Sequence, residues 1–169
     1  MSIAQSLLPE FDQEMANTRR TLERIPEDKF DWKPAEKSMT MGQLANHIAD
    51  MTGWMKEVVE EDGFDIPADY KPFVATNRQE LLKKFDEAVT RARPALEKVP
   101  DAKMGDSWTL SMAGQSIFSM PRAAVLRSMI LSHIIHHRAQ LTVYYRLNGV
   151  AVPALYGPSG DEEQAAAGA

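Results

Sequence analysis

Histidine is rare in this chain of 169 residues, and three of its four histidines lie close together, at positions 133, 136 and 137. In an α-helix, His133 and His137 lie one turn apart and roughly 40° from each other around the axis, so their rings can converge on one ion. Catalytic zinc sites commonly use three protein ligands and leave a position for water. Because only His47 remains to supply a third imidazole, we predict a metal site formed by His47, His133 and His137.

Two other interpretations of this pattern stay open. A cluster of buried histidines held by hydrogen bonds has the same spacing, and so does a histidine pair that carries out acid–base chemistry without a metal. Asp50, three residues after His47, could accept a ring N–H from it or be a solvated surface carboxylate.

The neighbours of the histidines have predicted roles of their own. His136 falls at the edge of the apolar stripe of its helix and is expected to support the ligands or to lie in an interface. No residue type or spacing clearly marks a general base, and the candidates are Asp50, Glu14 and Gln140. Arg138 points away from the proposed site along its helix, which predicts a salt bridge.

The composition limits the possible functions. The chain has no cysteine, which excludes disulfides, thiolate ligands and a protein thiol nucleophile, so any thiol has to arrive with a substrate. A net charge of −5 does not favour nucleic-acid binding. The first residues lack the basic and apolar regions typical of a signal peptide, and no stretch of about 20 apolar residues occurs, so we expect a single cytoplasmic domain without a membrane span.

Apolar residues at helical spacing predict four helices, which must position the histidines. Their expected bounds are 2–24, from Thr40 onward, from Thr76 onward, and from Ser119 to Asn148. Capping boxes of Thr40 with Gln43 and of Thr76 with Gln79 mark the second and third starts. Pro94 predicts a kink or an early end near Arg93 in the third helix.

The connections between the helices contain proline and glycine. Residues 26–38 are predicted to form a loop that Phe30 and Trp32 pin to the core, and residues 61–75 a long connection that can cross the bundle. Residues 100–120 are the least helical part, with a possible short extended piece at 108–112.

Several motifs, in this order and spacing, resemble those of the DinB-like family, also called DinB/YfiT. The motifs are Trp32-Lys33-Pro34, SMTMGQLANHI at 38–48, HxxHHRxQ at 133–140, YRLNGV at 145–150 and PALYGPSGDE at 153–162. The resemblance implies an all-α fold, a four-helix bundle of up-down-down-up order with long crossover connections, often dimeric. It assigns residues 1–163 to this domain, and the alanine-rich residues 164–169 are expected to form a flexible tail.

The same resemblance implies a divalent metal ion, commonly nickel or zinc, on His47, His133 and His137. Characterised relatives use low-molecular-weight thiols such as bacillithiol or mycothiol. The first functional hypothesis is therefore a metal-dependent enzyme, either a thiol S-transferase or a hydrolase with metal-activated water. The alternatives are a non-catalytic metal-binding or stress-response bundle, and an interaction module whose histidine cluster is incidental.

Overall fold

The structure, a computed structural model that describes residues 2–163, is mostly helical and includes a small three-stranded sheet. In chain order the elements are α1 (Ile3–Leu22), α2 (Met41–Glu60), β1 (Gly63–Ile66), α3 (Arg78–Lys98), α4 (Asp101–Met104), β2 (Ser107–Met112), β3 (Gln115–Pro121), α5 (Arg122–Ala124) and α6 (Ser132–Leu147). A π-helical segment, Val125–Leu131, joins α5 to α6. The expected tail at 164–169 lies outside the described residues.

Side chains that satisfy free backbone donors set the helix starts. The predicted capping box of α2 is confirmed, because the Thr40 hydroxyl accepts from the Gln43 N–H and the Gln43 side chain accepts from the Thr40 N–H. The predicted Thr76 cap of α3 is wrong. Asn77 caps this helix instead, since its side-chain oxygen accepts from the Glu80 N–H at 2.9 Å.

The third helix continues through its proline. Of the two outcomes predicted near Arg93, a kink or an early end, the early end is wrong, because α3 runs to Lys98 with Pro94 inside it. The residues around the proline, Ala92, Ala95 and Leu96, are buried. Proline cannot donate a backbone hydrogen bond within the helix, and the apolar burial of these neighbours offsets the free energy that is lost.

The sheet corrects the all-α expectation. β1 pairs in parallel with β2, and β2 pairs antiparallel with β3 across a tight turn at Ala113 and Gly114, both with positive φ. Ser119 was predicted to cap the last helix, but it lies in β3, where its hydroxyl accepts a hydrogen bond from Thr109. The helical region therefore begins at Arg122.

Contacts between the long helices form the core. α2 packs against α3 and α6, and α1 packs against the same two helices. The loop before α2 is held as predicted, because Phe30 and Trp32 are partly buried against the core and the Trp32 ring meets Tyr144 edge-on at 5.5 Å.

The predicted end of the last helix is also confirmed, with Gly149 at a φ of 69° after Asn148. None of the helices within residues 2–163 is long and apolar enough to cross a membrane.

A buried guanidinium ties the sheet to the end of α2. Arg122 is fully buried and donates to the carbonyl oxygens of Val58 and Glu61, which lie at or just past the end of α2. It also pairs with the Asp62 carboxylate at 3.0 Å. The carbonyl groups of a last helical turn have no partner within the helix, so Arg122 supplies donors that the fold otherwise lacks.

We predict that Arg122→Ala lowers the free energy of unfolding by about 2–4 kcal/mol, because it leaves buried carbonyl oxygens without a donor. Arg127→Ala is the matched control, since Arg127 is exposed and paired with Glu10 at the surface, and its effect should stay below about 1 kcal/mol. Urea unfolding followed by circular dichroism measures both variants. Equal losses in the two would contradict the role assigned to Arg122.

Candidate metal centre

The structure brings together the three histidines named from the sequence. His47 projects from α2, and His133 and His137 project from adjacent turns of α6. The Nε2 atom of His133 lies 3.4 Å from that of His47 and 2.8 Å from that of His137. One nitrogen of each ring falls within 4.8 Å of the others, so the group could hold a metal ion.

The donor separations suit a small cation. For a tetrahedral ion with metal–nitrogen bonds of about 2.0–2.1 Å, two ligand nitrogens lie roughly 3.3 Å apart. The observed separations of 3.4 Å and 2.8 Å lie on either side of this value. Neutral imidazole is also the commonest metal ligand among side chains.

Hydrogen bonds on the side away from the cluster favour one tautomer of the His137 and His133 rings. Nδ1 of His137 lies 2.7 Å from the side-chain oxygen of Gln140, which can only accept, so the proton of this ring is on Nδ1. His133 also hydrogen-bonds to the backbone of Met129, one turn earlier. This bond acts to raise the pKa of His133, as expected when the ring N–H is the donor. With these bonds on the outer nitrogens, Nε2 is the atom of each ring that is left to bind a metal ion.

Burial favours the neutral form of two of these imidazoles. It lowers the pKa of His47 from 6.5 to about 4, with a further contribution from the rings of His137 and His133. Burial also lowers the pKa of His133. A metal ion binds the neutral form of the ring, so at neutral pH His47 and His133 do not have to lose a proton before binding.

The last helical region predicted at 119–148 is not one regular helix, because the π-helical segment Val125–Leu131 immediately precedes α6. Within α6 the buried residues are Ile134, Arg138, Leu141 and Tyr145, so the core-facing stripe passes one residue after each of His133 and His137. His133 and His137 consequently lie half-buried at the margin of the core. A signal was present in the sequence, because the apolar pairs at 125–126 and 130–131 recur after five residues, the period of π-helical hydrogen bonds.

The other residues considered from the sequence take different places. His136 is exposed, with its ring centre 4.9 Å from that of His137. Asp50 pairs with Lys84 at 2.7 Å rather than with a histidine ring. Gln140, a candidate base, instead fixes the orientation of His137.

The predicted salt bridge of Arg138 is confirmed. Its guanidinium is buried and lies 2.6 Å from the Glu14 carboxylate of α1. The Tyr156 hydroxyl donates to the same carboxylate at 2.7 Å. Glu14 is therefore engaged in the core and does not face the histidines as a base.

A cavity of about 320 Å³ lies beside His47 and His133. Its walls come from α2, the π-helical segment and the inner face of the sheet, and they include Trp54, Trp108 and Phe118. Two histidines of the triad, His47 and His133, thus border a partly open apolar space large enough for a small molecule.

Relatives share most of the chain. The model of the DinB family matches residues 1–167. The uncharacterized protein YrdA of Bacillus subtilis (strain 168) is 26% identical over 162 residues, which cover 92% of this chain and 89% of that protein. YjoA of the same strain, also described as uncharacterized, is 26% identical over 133 residues, or 78% and 82% of the two chains.

Solved structures share the fold. A DinB-like protein from Bacillus cereus ATCC 10987 aligns with a TM-score of 0.70 at 21% identity, over 90% of this chain and 97% of that one. The structure of YjoA from Bacillus subtilis gives a TM-score of 0.67 at 23% identity, over 89% and 96% of the two chains. At these identities the likeness is one of fold.

We predict that the metal-free protein loses stability as the pH falls from about 6.5 towards 4. The pKa of His47 is about 4 in the folded chain and 6.5 when exposed, so between these values the unfolded chain binds more protons. Urea midpoints at pH 7, 5.5 and 4.5 measure the loss in wild type and in His47→Gln. Carboxylates titrate in both proteins, so the comparison isolates the contribution of His47. If the urea midpoint falls with pH equally in wild type and in the variant, the prediction is contradicted.

Proposed function

The chain belongs to the DinB family, and from this we propose that His47, His133 and His137 hold one divalent metal ion, nickel or zinc, at the centre of an enzyme. The reaction we propose is transfer of a small thiol cosubstrate to an electrophile, or attack by water at the same site. The observation that carries the proposal is the convergence of three imidazole nitrogens beside an apolar cavity. Three protein ligands leave coordination positions for a substrate, which favours a reactive over a structural ion.

A divalent ion on neutral imidazoles lowers the pKa of a bound thiol or water and so supplies a nucleophile at neutral pH. Other residues of the chain orient the ligands. Gln140 and the Met129 backbone hold the two α6 rings in the ligating tautomer. Because the sequence has no cysteine, the thiol must come with the cosubstrate.

Asp50 is the carboxylate that we propose takes up the proton of the nucleophile. It lines the cavity together with His47, whereas Glu14 is engaged with Arg138 in the core. Burial raises the pKa of Asp50, and the hydrogen bond from Lys84 opposes this shift. A carboxylate with a raised pKa is a better proton acceptor near neutral pH.

We further propose that α1, α2, α3 and α6 form the four-helix bundle of this family in up-down-down-up order, within one domain at 1–163, and that the chain forms a homodimer. The packing of α1 and α2 each against α3 and α6 supports the bundle.

Elemental analysis of purified, untagged protein tests the metal site. We expect about one divalent ion per chain in wild type and a loss of at least about tenfold in occupancy in His47→Ala and His137→Ala, because each removes one of three ligands. His136→Ala is the matched control, since His136 neighbours the site but is exposed. Circular dichroism verifies folding, and full occupancy in a folded His47→Ala protein would refute the triad.

A thiol-transfer assay separates the enzyme from a non-catalytic metal-binding bundle. The metal-loaded protein is given bacillithiol, mycothiol or cysteine with 1-chloro-2,4-dinitrobenzene, whose ring carbon forms a bond to sulfur as chloride leaves. We expect acceleration that disappears in His137→Ala and falls about a hundredfold in Asp50→Asn, with metal content unchanged in the latter. If the loaded wild type accelerates neither thiol transfer nor hydrolysis, the ion serves binding alone.

A further inference from the structure

The connection between β1 and α3 forms part of the wall of the cavity beside the histidines. Tyr70 and Pro72 belong to this connection, and both line the cavity that His47 and His133 border. Every residue from 67 to 74 is exposed at the surface. This stretch of chain therefore lies between the cavity and the solvent.

Both ends of the stretch are anchored to the body of the protein. Before it, the carbonyl oxygen of Ile66 in β1 accepts a hydrogen bond from the Ala113 N–H at 2.9 Å. After it, the buried side chain of Asn46 accepts from the Ala75 N–H at 2.8 Å and donates to the Ala75 carbonyl oxygen at 2.9 Å. Residues 67–74 are thus a surface loop between two fixed points.

One side chain holds the middle of this loop. Lys84 of α3 donates to the Phe73 carbonyl oxygen at 2.5 Å, and its ammonium nitrogen lies 5.7 Å from the centre of the Phe73 ring. Among residues 2–163, this is the one hydrogen bond from the loop to another part of the chain, since the bond from the Tyr70 N–H to the Pro67 carbonyl oxygen is internal. A segment with so few bonds to its surroundings opens at a low cost in free energy.

The same ammonium group is paired with a residue of the cavity wall. It lies 2.7 Å from the carboxylate of Asp50, which lines the cavity from α2. The two side chains are only 16% and 25% exposed, so solvent screens this ion pair less than a pair at the open surface. Lys84 therefore joins a fixed carboxylate on α2 to the middle of the loop.

We propose that residues 67–74 form a lid over the cavity, and that Lys84 is the latch that holds the lid closed through its contacts with Asp50 and the Phe73 carbonyl oxygen. A ligand enters the cavity when the contact between Lys84 and Phe73 breaks, while the two anchored ends of the loop stay in place. Lids of this kind control entry and exclude water from the molecule bound beneath them. The lid needs neither a metal ion nor a reaction, so it goes beyond the proposed function.

Because the chain has no cysteine, a single introduced thiol can report access to the cavity. Met129 lines the cavity from the π-helical segment, and Met129→Cys places a thiol there. Metal-free protein is labelled with N-ethylmaleimide, and mass spectrometry follows the reaction. We expect Lys84→Met to raise the labelling rate at least about fivefold, because loss of a hydrogen bond from a charged group increases the population of the open lid. Lys83→Met is the matched control, since it removes an exposed charge from the neighbouring residue, and it should change the rate by less than about twofold.

Two further variants distinguish a latch from general loosening of the fold. Lys84→Arg keeps a cation that can reach both partners, and its labelling rate should stay within about twofold of wild type. A rate as high as that of Lys84→Met would overturn the latch. Thr21→Cys places a thiol in the core, away from the cavity residues, where labelling requires the whole fold to open. If Lys84→Met accelerates labelling equally at the two thiols, or at neither, the lid is refuted.

Proteolysis tests the loop itself. Chymotrypsin cleaves after aromatic residues, and the exposed loop offers Tyr70 and Phe73. We expect cleavage at these two bonds to be at least about fivefold faster in Lys84→Met than in wild type or in Lys83→Met, because a released loop fits a protease more readily. Unchanged cleavage in a protein whose cavity thiol has become accessible would locate the opening elsewhere and overturn the proposal.

Metal analysis of the same proteins separates the lid from the proposed function. Protein that binds one metal ion per chain, but whose cavity thiol does not respond to Lys84→Met, refutes the lid and leaves the metal centre standing. Protein in which Lys84 controls access to the cavity, but which takes up no metal, supports the lid and refutes the proposed metal chemistry.

Discussion

Three imidazole nitrogens from two helices converge in this fold, with Nε2 of His133 only 2.8 Å from Nε2 of His137, and much of the structure maintains that arrangement. The side-chain oxygen of Gln140 accepts a hydrogen bond from Nδ1 on the outer side of the His137 ring, and burial lowers the pKa of His133. His47 adds the third nitrogen from another helix, and burial lowers its pKa as well. Neutral imidazoles held close together in this way are suited to share one divalent cation.

The position of the histidines depends on charges buried nearby. Arg138 directly follows His137 on α6, and its guanidinium is fixed in the core by Glu14 and the Tyr156 hydroxyl. Since successive residues of a helix point about 100° apart, anchoring Arg138 inside fixes the rotation at which His137 reaches the margin of the core. The π-helical segment before α6 lines the same cavity as His133.

The small sheet forms one wall of the cavity beside the histidines. β2 and β3 contribute Trp108 and Phe118 to this wall, and Arg122 joins the end of β3 to the end of α2, the helix that carries His47. The helices thus supply the candidate ligands, and the sheet supplies part of the apolar surface beside them.

The sequence alone determined the features that depend on neighbours within about four residues along the chain. These were the pairing of His133 with His137 by helical spacing, the capping box at Thr40 and the end of the last helix at Gly149. It also pointed to His47, because no other histidine was left. Only the tertiary structure decided the rest, including the strand pairing of 63–66 with 109–112, the place of Ser119 in a strand rather than at a cap, and the cavity with Trp108. Such features arise from residues tens of positions apart, so the sequence could indicate an extended piece at 108–112 but not the strands that pair with it.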